Sequence, residues 1–310
     1  MPIQVGFFGA GNAARRHAKI LQALDAEIVA VCDIAALRAE QFATDFGGNV
    51  YSSPGRMFSA ENLDALWVCT PPNVRGPVEI AALKAGISLF IEPPVALNLR
   101  TAQSVLNALN RSGILCSVGS FWRYGEAFER LKKDISPKNA PKPLVLSGEW
   151  LEGPPATAWR QNAKVSGGLW CDGAYQMLDL ARIFGGEVEK VSAFGAGETK
   201  SAIFEFSNGA NGSFVAARAL ENGFHRAFSL STPSAIYNLS EGILETRRGV
   251  ETSILRGNDD ALLAQNAAFL RAVENGKRTE IRATYSDAMK TLRLALALGR
   301  AELGSKAVKL

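Results

Sequence analysis

Residues 3–24, IQVGFFGAGNAARRHAKILQAL, constrain this chain more than any other stretch. The apolar run 3–8 has strand length and β-favouring residues, and a helical apolar period follows through Ala14, Ala18, Leu21 and Leu24. Between them, Gly9-Ala10-Gly11 opens a GxGxxA pattern that closes at Ala14. Gly9 permits the tight turn, Gly11 lets the backbone come close to a pyrophosphate, and Ala14 lets the helix lie against the strand. The helix start adds unpaired N–H groups and a partial positive charge for phosphates. The pattern alone is weak, because glycine marks many ordinary turns. Here a second strand, 27–32, ends in Asp33, where a ribose-binding acid belongs. Together these features predict a dinucleotide site that includes Gly9, Gly11, Asn12, Ala13, Ala14 and Asp33.

The first half of the chain keeps alternating strand-like and helix-like segments, the sign of a parallel sheet covered on both faces. A helix over 35–46 stops at Gly47-Gly48, and a buried strand over 63–69 runs into Thr70-Pro71-Pro72-Asn73. A helix over 76–85 accepts Pro77 in its first turn and ends at Gly86. The strand 88–91 runs into Glu92-Pro93-Pro94, and a helix over 100–110 leads to the strand 115–118. Ligands on such sheets bind beyond the carboxyl ends of the strands, which puts Gly9, Asp33, Thr70 and Glu92 on one rim.

Near Gly119 the rhythm changes. Strands are expected over 144–151, 188–194, 202–206, 213–218, 227–230 and 243–246, with helices over 173–184, 260–274 and 286–303. Asn208-Gly209 and Asn211-Gly212 mark a hairpin and therefore antiparallel pairing. Pro137, Pro141 and Pro143 punctuate a loop without making a linker. The expected fold class is α/β: an N-terminal doubly wound parallel sheet of the Rossmann type over 1–119, then an α+β domain over 120–310 with an open, mainly antiparallel sheet. Such a sheet needs one face covered, and a second copy of the chain is a common cover, so a homodimer or homotetramer is expected.

Composition narrows the function. With 310 residues there is room for two cores, and a formal charge of +4 with scattered basic residues gives no nucleic-acid stripe. Cys32, Cys69, Cys116 and Cys171 form no CxxC, and no metal-ligand spacing appears, so no metal is expected. The cysteines read as buried residues of a reducing compartment. The first strand begins at once, leaving no room for a signal peptide, and no apolar run approaches membrane-spanning length. A cytoplasmic protein without membrane or nucleic-acid partners is expected.

Several motifs, in order, resemble the glucose–fructose oxidoreductase / inositol dehydrogenase / MocA (Gfo/Idh/MocA) family. They are GFFGAGNAARRH from Gly6, VCTPPNV from Val68, AALKAGISLFIEPP from Ala81, Trp159-Arg160, SGGLWCDGAYQMLDLARIFGG from Ser166, and the closing ELGSKAVKL. The resemblance covers almost the whole chain. It implies a dinucleotide domain, a substrate domain, and hydride transfer between NAD(P) and a sugar, polyol or related carbinol. It places Glu92 by the nicotinamide ribose, sets Thr70, Pro71, Asn73 and Pro93 beside the cofactor, and lines the substrate cleft with Arg123, Tyr124, Trp159 and Arg160. Asp33 favours NAD by repelling a 2′-phosphate, while Arg38, one helical turn on, makes NADP the alternative.

The departures bear on the chemistry. Where the family has Glu-Lys-Pro, this chain has Glu92-Pro93-Pro94; of its Asp-x-x-x-His signature, Asp172 remains and the histidine position is Gln176. Arg75 replaces a histidine that commonly follows TPPNV. Oxidising a carbinol needs a proton acceptor, and a positioned general base contributes about 10²–10⁴-fold. Glutamine does not titrate near neutral pH, and proline has neither proton nor charge. The catalytic candidates left are Asp172, Gln176 and Tyr175. Asp172 and Gln176 share a face if both lie on one helix, although Asp172 is equally suited to being a cap or first-turn acid. His17 is expected to support the glycine turn. Two readings follow: an oxidoreductase acting on a sugar-, cyclitol- or enone-like substrate with a non-standard proton relay, or a catalytically silent dinucleotide-binding sensor of the same fold.

Overall fold

The apolar run that opens the chain forms β1 (Gln4–Phe8), and after the glycine turn α1 (Asn12–Ala23) buries Ala14, His17, Ala18 and Leu21. In the computed structural model, which describes residues 1–135, 142–257, 260–304 and 306–310, the alternation continues. It runs through β2 (Glu27–Cys32), α2 (Ala36–Phe46), β3 (Asn49–Tyr51), α3 (Pro54–Ala60), β4 (Ala65–Val68) and α4 (Pro77–Lys84). It ends with β5 (Ser88–Ile91), α5 (Leu99–Ser112) and β6 (Cys116–Val118). The strands make one parallel sheet in the order β3-β2-β1-β4-β5-β6. The crossover beside β1 is the switch point at which such sheets take their ligands. β4 and β5 are buried throughout, as an apolar run of four residues in a covered sheet requires. Pro77 opens α4, whose Gly76 N–H donates to Glu79 Oε2 at 2.6 Å, and Gly86 leaves the helix at φ +82°. β3 and α3 escape the sequence reading because one has three residues and the other seven, too few to show a period.

The second sheet has nine strands among the described residues, in the order β14-β13-β12-β11-β7-β10-β9-β8-β15. After α6 (Glu126–Ile135) come β7 (Val145–Glu152), α7 (Ala158–Gln161), α8 (Ala163–Ser166) and α9 (Tyr175–Gly185). Then follow β8 (Val188–Ala196), β9 (Thr199–Phe206), β10 (Asn211–Arg218), β11 (Phe224–Ser231), β12 (Ile236–Ser240), β13 (Ile243–Arg248) and β14 (Glu251–Arg256). The chain closes with α10 (Ala261–Asn275), α11 (Tyr285–Gly304) and β15 (Val308–Lys309). Pro137 and Pro141 lie outside the described residues. The Asn-Gly hairpin joins β9 to β10 in antiparallel register, with Phe204 opposite Gly212. β7 and β10, by contrast, pair in parallel, the exception in a sheet otherwise antiparallel. Phe204, Phe214, Phe228 and Leu230 point inward at alternate positions, and Phe184 of α9 packs on Phe228 with centroids 5.7 Å apart.

The chain divides into two compact units, Met1–Gly119 with Leu262–Met289, and Ser120–Ala261 with Lys290–Leu310. The returning segment completes the core of the first: Phe269 sets its ring edge against Trp67 at 5.2 Å and against Phe90 at 5.6 Å. Among the described residues, no helix is long and apolar enough to cross a membrane.

Candidate functional site

In the first unit the site grows from the turn after β1. Gly9 sits at φ +97°, and a Cβ there would lie 2.9 Å from the carbonyl carbon of Cys69. Its N–H donates to the Cys32 carbonyl at 2.8 Å, tying the turn to the end of β2. Asp33 holds the same junction: Oδ2 accepts from the Ala10 N–H and Oδ1 from the Ala35 N–H, each at 2.8 Å. A carboxylate has about four acceptor positions, so these two backbone bonds leave room for further donors. Arg38 Nη1 stands 3.5 Å from Oδ2, with its side chain half exposed.

Two features of this rim fit an anionic nucleotide. α1 begins with no side-chain cap and no acid in its first turn, and nothing lies within 4 Å of where a Gly11 Cβ would stand. Its opening N–H groups therefore face open space. Asn12 and Ala13 lie in the first turn, Asn12 exposed, and Ala14 is buried against the sheet. At the end of β4, Thr70 Oγ1 is a buried hydroxyl without a partner among the described residues, as expected of a group that binds a ligand. Pro71, which follows it, and Pro93, which follows Glu92, are half-buried, and Asn73 is exposed in a short turn after Pro71.

The ends of β4 and β5 are clamped by Arg75. Its buried guanidinium donates to the Thr70 carbonyl at 2.6 Å and to the Glu92 carbonyl at 2.9 Å. Burial pushes its pKa down, while the Glu79 carboxylate opposes that shift. Arg75 thus straps two strand ends together. The Glu92 carboxylate turns to His17, with Oε1 3.0 Å from Nε2. Gly119 makes room for it, since a Cβ there would come within 2.8 Å of the same oxygen. Burial alone would raise the Glu92 pKa; the hydrogen bond and charge of His17, with Arg16 and Arg75, carry it below its ordinary value.

In the second unit, Asp172 stands in a π-helical turn, Leu169–Gly173, rather than in the helix that carries Gln176. Nor does it cap α9, whose N-cap is Ala174 with no side-chain bond. Asp172 Oδ2 instead accepts from Arg160 Nε at 2.7 Å and from Arg218 Nη2. Glu152 Oε1 joins them, 2.8 Å from Arg218 Nε and 3.1 Å from Arg160 Nη2. Burial pushes the Asp172 carboxyl up against the pull of Arg160. Arg123 is buried and forks onto Asp179 at 2.5 and 2.8 Å, and Ser120 and Thr291 donate to the same carboxylate. Tyr124 and Tyr175 are buried; Gln176 is half-buried with its Oε1 3.3 Å from Ser120 Oγ; Trp159 is half-buried in α7. The structure thus joins Asp172 to Arg160 and ties Arg123 into a separate cluster. Sequence reasoning missed Glu152, Asp179, Arg218 and Asn266, each a charged or polar residue inside an otherwise apolar period. Among the described residues no group of three or more His, Cys, Asp or Glu side chains is placed to hold a metal.

Comparison with known proteins matches residues 3–120 to the family model GFO_IDH_MocA, described as an oxidoreductase family with an NAD-binding Rossmann fold. The chain is 28% identical over 254 residues to the scyllo-inositol 2-dehydrogenase (NAD(+)) of Bacillus subtilis, covering 76% of this chain and 73% of that one. It is 28% identical over 237 residues to the myo-inositol 2-dehydrogenase of Thermotoga maritima, covering 72% and 70%. Among solved structures, a levoglucosan dehydrogenase in complex with NADH and levoglucosan shares the fold. Its TM-score is 0.90 at 18% identity, covering 100% of this chain and 99% of that one.

Proposed function

Through residues 3–120 the chain belongs to the Gfo/Idh/MocA family of oxidoreductases, and from that premise we propose that it is an NAD-dependent oxidoreductase of a small polar substrate, with a proton relay other than the family's usual lysine and histidine. The observation that carries this is the uncapped start of α1, open beside Gly11 and flanked by the Asp33 carboxylate and the unpartnered Thr70 hydroxyl. In this reading the N–H groups from Gly11 to Ala14 hold the pyrophosphate and Asp33 takes the adenosine ribose. Thr70, Pro71, Asn73, Glu92 and Pro93 line the nicotinamide half. Bound there, the nicotinamide supplies hydride transfer. The negative charge of Asp33 makes NAD the cofactor, with NADP the weaker ligand despite Arg38.

Arg160 and Trp159 are proposed to meet the substrate, with Asp172 orienting Arg160, since two guanidinium groups already engage its carboxylate. Arg123 and Tyr124 are proposed to shape that region from within the Asp179 cluster, beside Gln176 and Tyr175. The relatives' names point to a cyclitol or sugar as the substrate class. The four cysteines are free, consistent with a cytoplasmic setting. A silent sensor is the second reading, favoured by the same engagement of Asp172 and by the inability of Gln176 to titrate.

Fluorescence titration with NADH and NADPH, followed by a turnover screen over cyclitols, sugars, ketones and enones, tests the proposal. The expected result is tighter NADH than NADPH binding and turnover on a polyhydroxylated carbinol. Tenfold tighter NADPH binding would overturn the role of Asp33. Binding without turnover across the panel would favour the sensor.

A further inference from the structure

Four side chains of the first unit form a hydrogen-bonded row whose proton positions are fixed by chemistry. The Trp67 indole N–H, which can only donate, lies 3.1 Å from Asn266 Oδ1. Asn266 Nδ2 donates to the Leu262 carbonyl at 2.7 Å, so the amide cannot be turned the other way. The same Oδ1 is 2.8 Å from His17 Nδ1, which must therefore carry a hydrogen. The other ring nitrogen, Nε2, faces the Glu92 carboxylate at 3.0 Å. A bare lone pair there would oppose a charged oxygen, so a proton belongs between the two. With the amide held by the indole and by the Leu262 carbonyl, the row has one transferable proton and one place for it.

We propose that His17 and Glu92 form a proton-carrying pair that serves the reaction in place of the missing motif lysine. The inference rests on the oxidoreductase reading. The strand order assigns the half of the rim over β4, β5 and β6 to the nicotinamide, because Asp33 at the end of β2 marks the adenosine half. Glu92 follows β5 on that half. His17 is sealed, with its side chain 2% exposed, whereas that of Glu92 is 24% exposed, so the carboxylate is the pair's outlet. The ring edge of Phe90 walls the imidazole at 5.0 Å. The charged groups acting on the carboxylate are Arg16 and Arg75, and the Cys69 thiol, kept neutral by burial, also faces it.

In the oxidising direction the pair begins without its shared proton, with His17 neutral and hydrogen on Nδ1 only. A carbinol O–H bond would break toward the Glu92 carboxylate, and bound oxidised nicotinamide would supply the acceptor for the C–H electron pair as hydride. The proton then settles on His17 Nε2 and later leaves to water through Glu92. Reduction runs the same path backwards, with the imidazolium as the acid.

The chain contains two histidines, so long-range ¹H–¹⁵N spectra of histidine-labelled protein resolve both rings, with His225 identified by His225→Gln. The expected result is a His17 ring with hydrogen on Nδ1 and an Nε2 signal that reports the contact with the Glu92 carboxylate. In Glu92→Gln the Nε2 signal should change while Nδ1 keeps its hydrogen. A His17 that lacks hydrogen on Nδ1 in the wild-type spectrum, which needs no variant to fold, overturns the proposal. So does an Nε2 signal identical in Glu92→Gln and the wild type. Calorimetry of NAD⁺ and NADH in phosphate and in Tris then reads the link to the reaction. The cationic nicotinamide should release a larger fraction of a proton than the neutral one, and the difference should vanish in Glu92→Gln. Equal release with both cofactors overturns the relay. If neither nucleotide binds, the oxidoreductase reading falls and the relay with it, while the spectra still report the pair's protonation, so the two failures are told apart.

Discussion

Two glycines of one turn do different work. At Gly9 a side chain meets the Cys69 backbone at 2.9 Å on a backbone with φ +97°, so Gly9→Ala is expected to destabilise the fold by about 1–3 kcal/mol, read from the denaturant midpoint. At Gly11 a Cβ has nothing within 4 Å and φ is −78°, so Gly11→Ala should leave the midpoint unchanged. Its added methyl group would instead occupy the space the pyrophosphate needs, and NADH affinity should fall at least tenfold. Equal effects of the two variants on stability would contradict this division. The glycine turn and the strand end before Asp33 were legible in the sequence because their signal is local, a turn between two periodic segments. Asn266 and Asp179 were not. Their partners lie far along the chain, as with His17 and Asn266, and nothing in a window of neighbours marks a buried polar side chain as paired.

Among the elements, the π-helical turn Leu169–Gly173 and the end of β10 are locked together through Asp172, Glu152, Arg160 and Arg218. Arg218 is the least exposed of the four, and Arg218→Leu leaves two carboxylates with one guanidinium between them. Removing one partner of a buried ion-pair cluster costs about 3–5 kcal/mol, and a loss of that order is expected in urea melts. Glu152 gives the cluster a pH response. Burial raises its pKa, but the hydrogen bond from Arg218 and the charges of Arg160 and Arg218 hold it below the ordinary carboxylate value. Its contribution is therefore complete above the unfolded value and disappears as pH falls through the folded one. Asp172, pushed up by burial, runs the other way. Glu152→Gln isolates the first effect, and thermal melts from pH 7 to pH 3 should show a shallower acid limb than the wild type. The longer strands and the β9–β10 hairpin were readable from alternation and Asn-Gly. The parallel pairing of β7 with β10 was not, because register between strands so distant in sequence is set by what fills the space between them.

At the scale of the molecule, the second sheet leaves one face lightly covered: Ile203 on β9, Val215 on β10 and Phe194 on β8 are exposed. We expect this face to be shared between copies of the chain. Light scattering should return a multiple of the chain mass, and Ile203→Asp should shift it toward the monomer; a monomeric wild type would refute the idea. The sequence announced that sheet as open but not which residues stand on its outer side, since that depends on register. The first unit carries a consequence of another kind. Its acceptor for both His17 and Trp67 is Asn266, in the returning segment Leu262–Met289. During synthesis, the first 119 residues leave the ribosome well before that amide exists. The nascent sheet must wait with an indole, an imidazole and an aromatic face unsatisfied until that segment has been made, and this interval is when a chaperone has most to hold.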